Sequence, residues 1–187
     1  ITWKNISIDY FQQWNSVYWN GKFWIGAGDN KLVYSLNGMD WNPISSINNI
    51  FGVSSAINVV TYGNGIWVAG GLNIAANIVY SFDGLNWDAS PTNNLLQSVR
   101  CCVYNGRYWL MGGQPILGLN QPTLLKSDDG INWISLNVTL FGNNIVQSLC
   151  WNGKLWVAGC HKNSANTTLA YSYDGITWND LYDVIFT

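Results

Sequence analysis

One seven-residue motif recurs four times at nearly equal spacing, and this periodicity constrains the fold more than any other feature. It reads Ser35-Leu36-Asn37-Gly38-Met39-Asp40-Trp41, Ser81-Phe82-Asp83-Gly84-Leu85-Asn86-Trp87, Ser127-Asp128-Asp129-Gly130-Ile131-Asn132-Trp133 and Ser172-Tyr173-Asp174-Gly175-Ile176-Thr177-Trp178. The closing tryptophans lie 46, 46 and 45 residues apart. A second motif precedes each copy: Trp19-Asn20-Gly21-Lys22-Phe23-Trp24, Tyr62-Gly63-Asn64-Gly65-Ile66-Trp67, Tyr104-Asn105-Gly106-Arg107-Tyr108-Trp109 and Trp151-Asn152-Gly153-Lys154-Leu155-Trp156. A fixed period of this length means supersecondary units that bury their apolar faces against one another.

Each unit reads as four short strands. In the last copy these are residues 146–151, 154–158, 169–173 and 176–182. The Asn-Gly or Gly-Asn pair is expected to join the first two strands, because two-residue hairpin turns need positive φ angles. The Asp-Gly pair is expected to join the last two, its carboxylate accepting backbone N–H groups as in Asx turns. Composition agrees: 12 Trp, 10 Tyr, 19 Gly and 25 Asn, with no Glu among ten acidic residues, suit strands and tight turns rather than helices. The fold class expected is therefore all-β, a β-propeller with four-stranded antiparallel blades. It has four complete repeats of about 45 residues plus one extra N-terminal strand. The corresponding boundaries are 1–10 for the fourth strand of a preceding blade, then 11–44, 45–90, 91–136 and 137–187 for blades one to four. Ile1-Thr2-Trp3 repeats Ile176-Thr177-Trp178, which leaves that first strand without a place in a closed four-blade ring. A longer propeller of five or more blades is expected, the alternative being a four-blade ring with the first strand capping an edge.

The pattern Ser-x-Asp-Gly-x-x-Trp resembles the Asp-box (BNR) repeat of sialidase-like propellers, Ser-x-Asp-x-Gly-x-Thr-Trp. The resemblance implies a box at the turn between the third and fourth strands, with its Trp in the blade core. On that reading the structural box residues are Ser35, Asn37, Trp41, Ser81, Asp83, Trp87, Ser127, Asp129, Trp133, Ser172, Asp174 and Trp178. This chain departs by one missing turn residue and by Asn37 in the first copy.

Tryptophans that recur once per blade are expected to be inter-blade packing rather than sugar-stacking platforms. Each would remove roughly 200 Å² from water, an upper-bound gain of about 5 kcal/mol. Only Trp14 lacks an obvious counterpart. The turns on one side of the ring are uniform, and Lys22, Arg107 and Lys154 are expected there beside box carboxylates in weak ion pairs. The connections on the other side vary in length, which marks them as released from the scaffold and as the expected partner surface. The candidate ligand or partner residues are Trp14, Gln114, Asn120, Gln121, His161, Lys162 and Asn163.

Catalysis is not expected. The family resemblance would require three arginines and a Tyr–Glu pair, and the chain has Arg100, Arg107 and no Glu. No glycosidase dyad built on Glu can be assembled. His161 is the single histidine, and no nucleophile-elbow motif accompanies it. Each box Asp stands alone, whereas calcium sites gather several oxygens, so neither metal nor cofactor is expected. Cys101 and Cys102 point to opposite faces of a strand. The four cysteines, with Cys150 and Cys160, read as free thiols, a Cys101–Cys150 disulfide being the alternative. A net charge of −2 without a basic stripe argues against nucleic acid, and no apolar run approaches the ~20 residues of a spanning helix. Three readings follow. The first is a non-catalytic interaction module for a protein or glycan, on an extracellular or virion-type surface. The second is a structural or assembly component of a larger particle. The third, well behind, is a degenerate sialidase-like hydrolase. Self-association, or further blades completing the ring, would satisfy exposed sheet edges.

Overall fold

A computed structural model describes residues 10–51, 55–72, 75–118, 121–163, 165 and 167–181. The extra N-terminal strand, Trp3, Asn120 and the expected end of the last strand at Tyr182 lie outside these residues. The first sheet contains β1 (Trp14–Trp19), β2 (Trp24–Gly28), β3 (Lys31–Ser35) and β4 (Asn42–Pro43). The second has β5 (Ala56–Gly63), β6 (Ile66–Leu72), β7 (Ile78–Ser81) and β8 (Asp88–Ala89). The third has β9 (Ser98–Tyr104), β10 (Trp109–Gln114), β11 (Leu124–Ser127) and β12 (Ile134–Leu136), and the fourth β13 (Ile145–Trp151), β14 (Trp156–His161), β15 (Leu169–Ser172) and β16 (Asn179–Asp180). Each sheet is an antiparallel meander in chain order. Two 3₁₀ turns, Ser46–Asn49 and Thr139–Phe141, are the only helical segments among the described residues. Among the described residues no helix is long and apolar enough to cross a membrane.

The first strands share one axis: β1 packs on β5, β5 on β9 and β9 on β13. This is a β-propeller, its blades stacked in sequence order. No comparable packing joins β13 to β1, so the four described blades form an open arc.

Three apolar clusters fill the three blade junctions. The first sets Ile25, Ala27 and Leu32, on the forward face of blade one, against Ile57, Trp67 and Trp87 on the rear face of blade two. Blades two and three join through Val68, Ile78, Val99, Trp109 and Trp133, and blades three and four through Leu110, Leu124, Val146, Trp156 and Trp178. Trp67, Trp109 and Trp156 are wholly buried, and the box residues Trp87, Trp133 and Trp178 nearly so. The repeated tryptophans are therefore junction residues in blades two to four. In blade one, Trp24 and Trp41 are only half-buried, because no described blade stands behind them. Cys101 and Cys102 belong to different junctions, on opposite faces of β9. All four cysteines are free, so the Cys101–Cys150 alternative does not hold.

Both turn expectations need correction. In blades one, three and four the positive φ falls on Gly21, Gly106 and Gly153 alone, the turn being Gly-Lys or Gly-Arg, one residue later than the Asn-Gly pair. The Asn side chain explains the shift: Asn20 Oδ1 accepts from the Lys22 and Phe23 N–H groups, and Asn105 and Asn152 do the same. Only blade two uses Asn64-Gly65 with both φ positive. The box is not a two-residue turn either. Asp83 Oδ1 accepts from the Leu85 and Asn86 N–H groups at 2.8 and 2.7 Å. Those donors are thereby withdrawn from the ladder, and the fourth strand starts only at Asp88. For the same reason β16 begins at Asn179 rather than at Ile176.

Candidate functional site

Each first strand carries a β-bulge at the same position. Pairing skips Asn15 in β1, Asn58 in β5, Arg100 in β9 and Gln147 in β13. A bulge bends its strand and re-aims the extra side chain, and such features gather beside binding sites. The inner-strand carbonyl at the bulge lies so close to the second strand that a Cβ on Gly113 would meet Ser98 O at 2.1 Å. A Cβ on Gly28 or Gly71 would meet Gln13 O or Ala56 O in the same way, so these glycines are the sequence trace of the bulges in blades one to three, while blade four has Cys160 at that position.

The bulged residues of three successive blades meet at a polar funnel of about 870 Å³ on the variable-connection side. Asn15, Asn58 and Arg100 line its floor, and Gln12, Asp29 and Lys31 its wall. The amides are held rigidly: Asn15 Nδ2 donates to Ile57 O at 3.0 Å, and Asn58 Nδ2 to Val99 O at 2.7 Å. Asn58 also donates to the buried Ser98 hydroxyl. Asp29 accepts from the Gln12 N–H at 2.7 Å, and Lys31 reaches Tyr10 O at 3.4 Å. Arg100 differs from its row. Its Nε is buried without a hydrogen-bond partner among the described residues, and no described carboxylate pairs with it. A guanidinium placed so has hydrogen-bonding capacity left for an acceptor entering the funnel, a carboxylate best of all.

The residues singled out by sequence lie elsewhere. Trp14 is a strand residue, not a loop residue: it occupies the column of Ile57, Val99 and Val146 and covers Gly26 on the rear face of blade one. It does have counterparts in the other blades. Gln114 is half-buried and donates to Gln97 Oε1 at 3.1 Å, and Gln121 is likewise half-buried. His161 is the exposed last residue of β14, and Lys162 and Asn163 are exposed on the connection after it. That connection is fixed by the buried Asn144, whose Oδ1 accepts from Asn163 N and Ala165 N and whose Nδ2 donates to Thr167 O. None of these residues lines the funnel. The expected ion pairs of Lys22, Arg107 and Lys154 do not form with any described residue, while Lys126 pairs with Asp128. No cluster of three metal-ligating side chains occurs among the described residues.

The box carboxylates are structural. Burial opposes ionisation of Asp83, but hydrogen bonds from the Asn86 backbone and side chain, the Leu85 backbone and the Ser81 hydroxyl outweigh it and lower the pKa to about 2. Asp129 reaches about 2 through the same balance, and Asp174 is lowered too. In blade one Asn37 Oδ1 accepts from Met39 N and Asp40 N and so replaces the carboxylate without loss of the turn. In blades one, two and four the box Trp donates Nε1 to the carbonyl of the box Gly, as Trp87 does to Gly84 O at 3.0 Å, whereas Trp133 Nε1 is buried without a partner among the described residues.

The fold and its axial funnel define a β-propeller with a recessed polar site. No family model matches the chain, and no curated protein sequence matches it either. Among solved structures the chain is similar to the extracellular domain of BT4673 of B. thetaiotaomicron, assigned as a one component system. That match has 12% identity and a TM-score of 0.67, over 95% of this chain and 23% of that one. The chain thus spans about a quarter of the length of that extracellular domain. It is also similar to the computationally designed Ika4 protein, with 11% identity and a TM-score of 0.60 over 92% of this chain and 99% of that one.

Proposed function

We propose that this chain is a non-catalytic binding module whose axial funnel takes an acidic glycan on an extracellular surface. The observation that carries the reading is Arg100, a guanidinium with a buried, unpartnered Nε among fixed amides. Lys31 adds a second cation, against the single carboxylate of Asp29. Amide side chains on a rigid floor match sugar hydroxyls, and the cations match a carboxylate. Asp29 is the one acid lining the funnel among the described residues, so no carboxylate pair is at hand there for glycoside hydrolysis. The four box turns read as variants of the Asp-box, because in each the Asp or Asn gathers two turn N–H groups beside a box Ser and Trp. A neighbour of the same architecture is an extracellular domain, which agrees with the placement.

A glycan array probed with the labelled chain, followed by calorimetry on the retained glycans, tests the proposal. Carboxylated glycans should be retained, and Arg100→Ala should weaken binding at least tenfold, the scale of one charge-assisted hydrogen bond at roughly 1.5–3 kcal/mol. Silence on the array together with stable incorporation into a larger particle would favour the assembly reading instead. Affinity unchanged by Arg100→Ala would remove the funnel from consideration.

A further inference from the structure

The first and last blades each carry one face that repeats the chemistry of the internal junctions without a described blade against it. On the rear face of blade one, Val17 is 53% exposed, whereas its counterparts Val60, Cys102 and Leu149 are at most 8% exposed. Trp14 is 40% exposed in a column where Ile57, Val99 and Val146 are fully buried. On the forward face of blade four, Val157 and Leu169 are half-buried. Their counterparts, Ile25, Val68 and Leu110 in one column and Leu32, Ile78 and Leu124 in the other, are fully buried.

The polar groups match as well. At the first junction the Ser16 hydroxyl donates to Val60 O at 3.3 Å and accepts from Val60 N at 3.2 Å. Blade four has Ser148 in the position of Ser16, exposed, and Val17 stands in the position of Val60. The bulge amide Asn15 reaches the next blade's Ile57 O, and Gln147 holds that position in blade four. An unmet forward face and an unmet rear face thus carry the two halves of a junction that the chain already makes three times.

We propose that two copies of this chain associate head to tail, blade four of each seated on blade one of the other. Such an interface is heterologous, and it closes only if the rotations sum to a full ring. Propellers typically have four to eight blades, so two copies of the four described blades fit within one ring, giving eight. Ser148 of one copy then bonds the backbone of Val17 of the second copy, as Ser16 bonds Val60. The row of bulged residues continues across both joins and brings Arg100 to the axis twice.

The test is the mass of the full chain by light scattering across a concentration series. The expected result is a species of twice the chain mass that dissociates on dilution. Val17→Asp and Val157→Asp should each give folded monomers, with near-ultraviolet circular dichroism unchanged. Their equimolar mixture should regain dimer, because one copy keeps its blade-four face and the other its blade-one face. Cys150, exposed on the forward face of blade four, supplies a readout without mutation: its alkylation should slow severalfold at concentrations where the dimer forms. A monomer at all concentrations, a dimer indifferent to Val157→Asp, open-ended oligomers, or alkylation of Cys150 at an unchanged rate would each overturn the proposal.

Discussion

Gly84→Ala should destabilise the protein far more than Gly21→Ala, although both glycines sit in turns at similar positive φ, +78° and +94°. A Cβ at Gly21 would meet nothing within 4 Å. At Gly84 it would lie 2.8 Å from Phe23 Cζ, 2.9 Å from Trp67 Nε1 and 3.0 Å from Ile25 Cδ1. Phe23 and Ile25 belong to the preceding blade and Trp67 is wholly buried, so the junction has to open to admit a methyl group. Left-handed backbone costs an L-residue roughly 1–2 kcal/mol at either site. Overpacking adds about 1–3 kcal/mol at Gly84 alone, so the two variants should lose about 1–2 and about 2–5 kcal/mol. The gain from restricting the unfolded chain is common to both and cancels in the comparison. Urea unfolding followed by tryptophan fluorescence, at one fixed protein concentration, reads the difference. Equal losses would show that the box glycine does not sit wedged between blades, and the junction geometry would be wrong.

Ile66→Tyr should stabilise the chain by about 0.5–1 kcal/mol, the net worth of one hydrogen bond. Ile66 holds the position of Tyr108, whose hydroxyl accepts from Trp156 Nε1 at 3.0 Å, while Trp109 Nε1 is buried without a partner. The same urea titration checks it. For Asp83 and Asp129, with folded pKa values of about 2, the sign of the pH dependence follows from depression below the unfolded value of about 3.9. Their contribution is complete above about pH 4 and fades as pH falls toward 2. Replacing both with Asn, the residue the chain itself carries as Asn37, removes that contribution, so it should lower stability at neutral pH and flatten the acid limb of a pH–stability curve. In the folded chain Cys150 should alkylate first. Cys101 and Cys102 should react only on unfolding, because burial pushes the first thiol up to about 12 and the second well above its ordinary range. Mass spectrometry after timed alkylation resolves the order.

The blades were legible in the sequence because the residues that define them repeat. Trp67, Trp109 and Trp156 recur in one strand position, and a period common to all copies reports a packing role. The funnel was not legible, because its floor is made by three residues, Asn15, Asn58 and Arg100. They share a place in the backbone rather than a chemistry. The signal available was indirect, in Gly28, Gly71 and Gly113, which accommodate the bulge carbonyls. Loop length marks Gln114, Gln121 and residues 161–163 instead, and none of these lines the cavity. Trp14 has no counterpart among the tryptophans because its equivalents are the aliphatic residues Ile57, Val99 and Val146. The turns shifted because an amide or carboxylate that binds two N–H groups ahead of it moves the tight turn onward, a competition that dipeptide patterns do not show.

The central claim is that the once-per-blade indoles of the second strands are sealed between neighbouring sheets. Fluorine NMR of the chain labelled with 5-fluorotryptophan, with resonances assigned by single Trp→Phe variants, measures this residue by residue. Trp67, Trp109 and Trp156 should show no change in shift between H₂O and D₂O. A full solvent-isotope shift at those three positions would place the rings in water and contradict the architecture described.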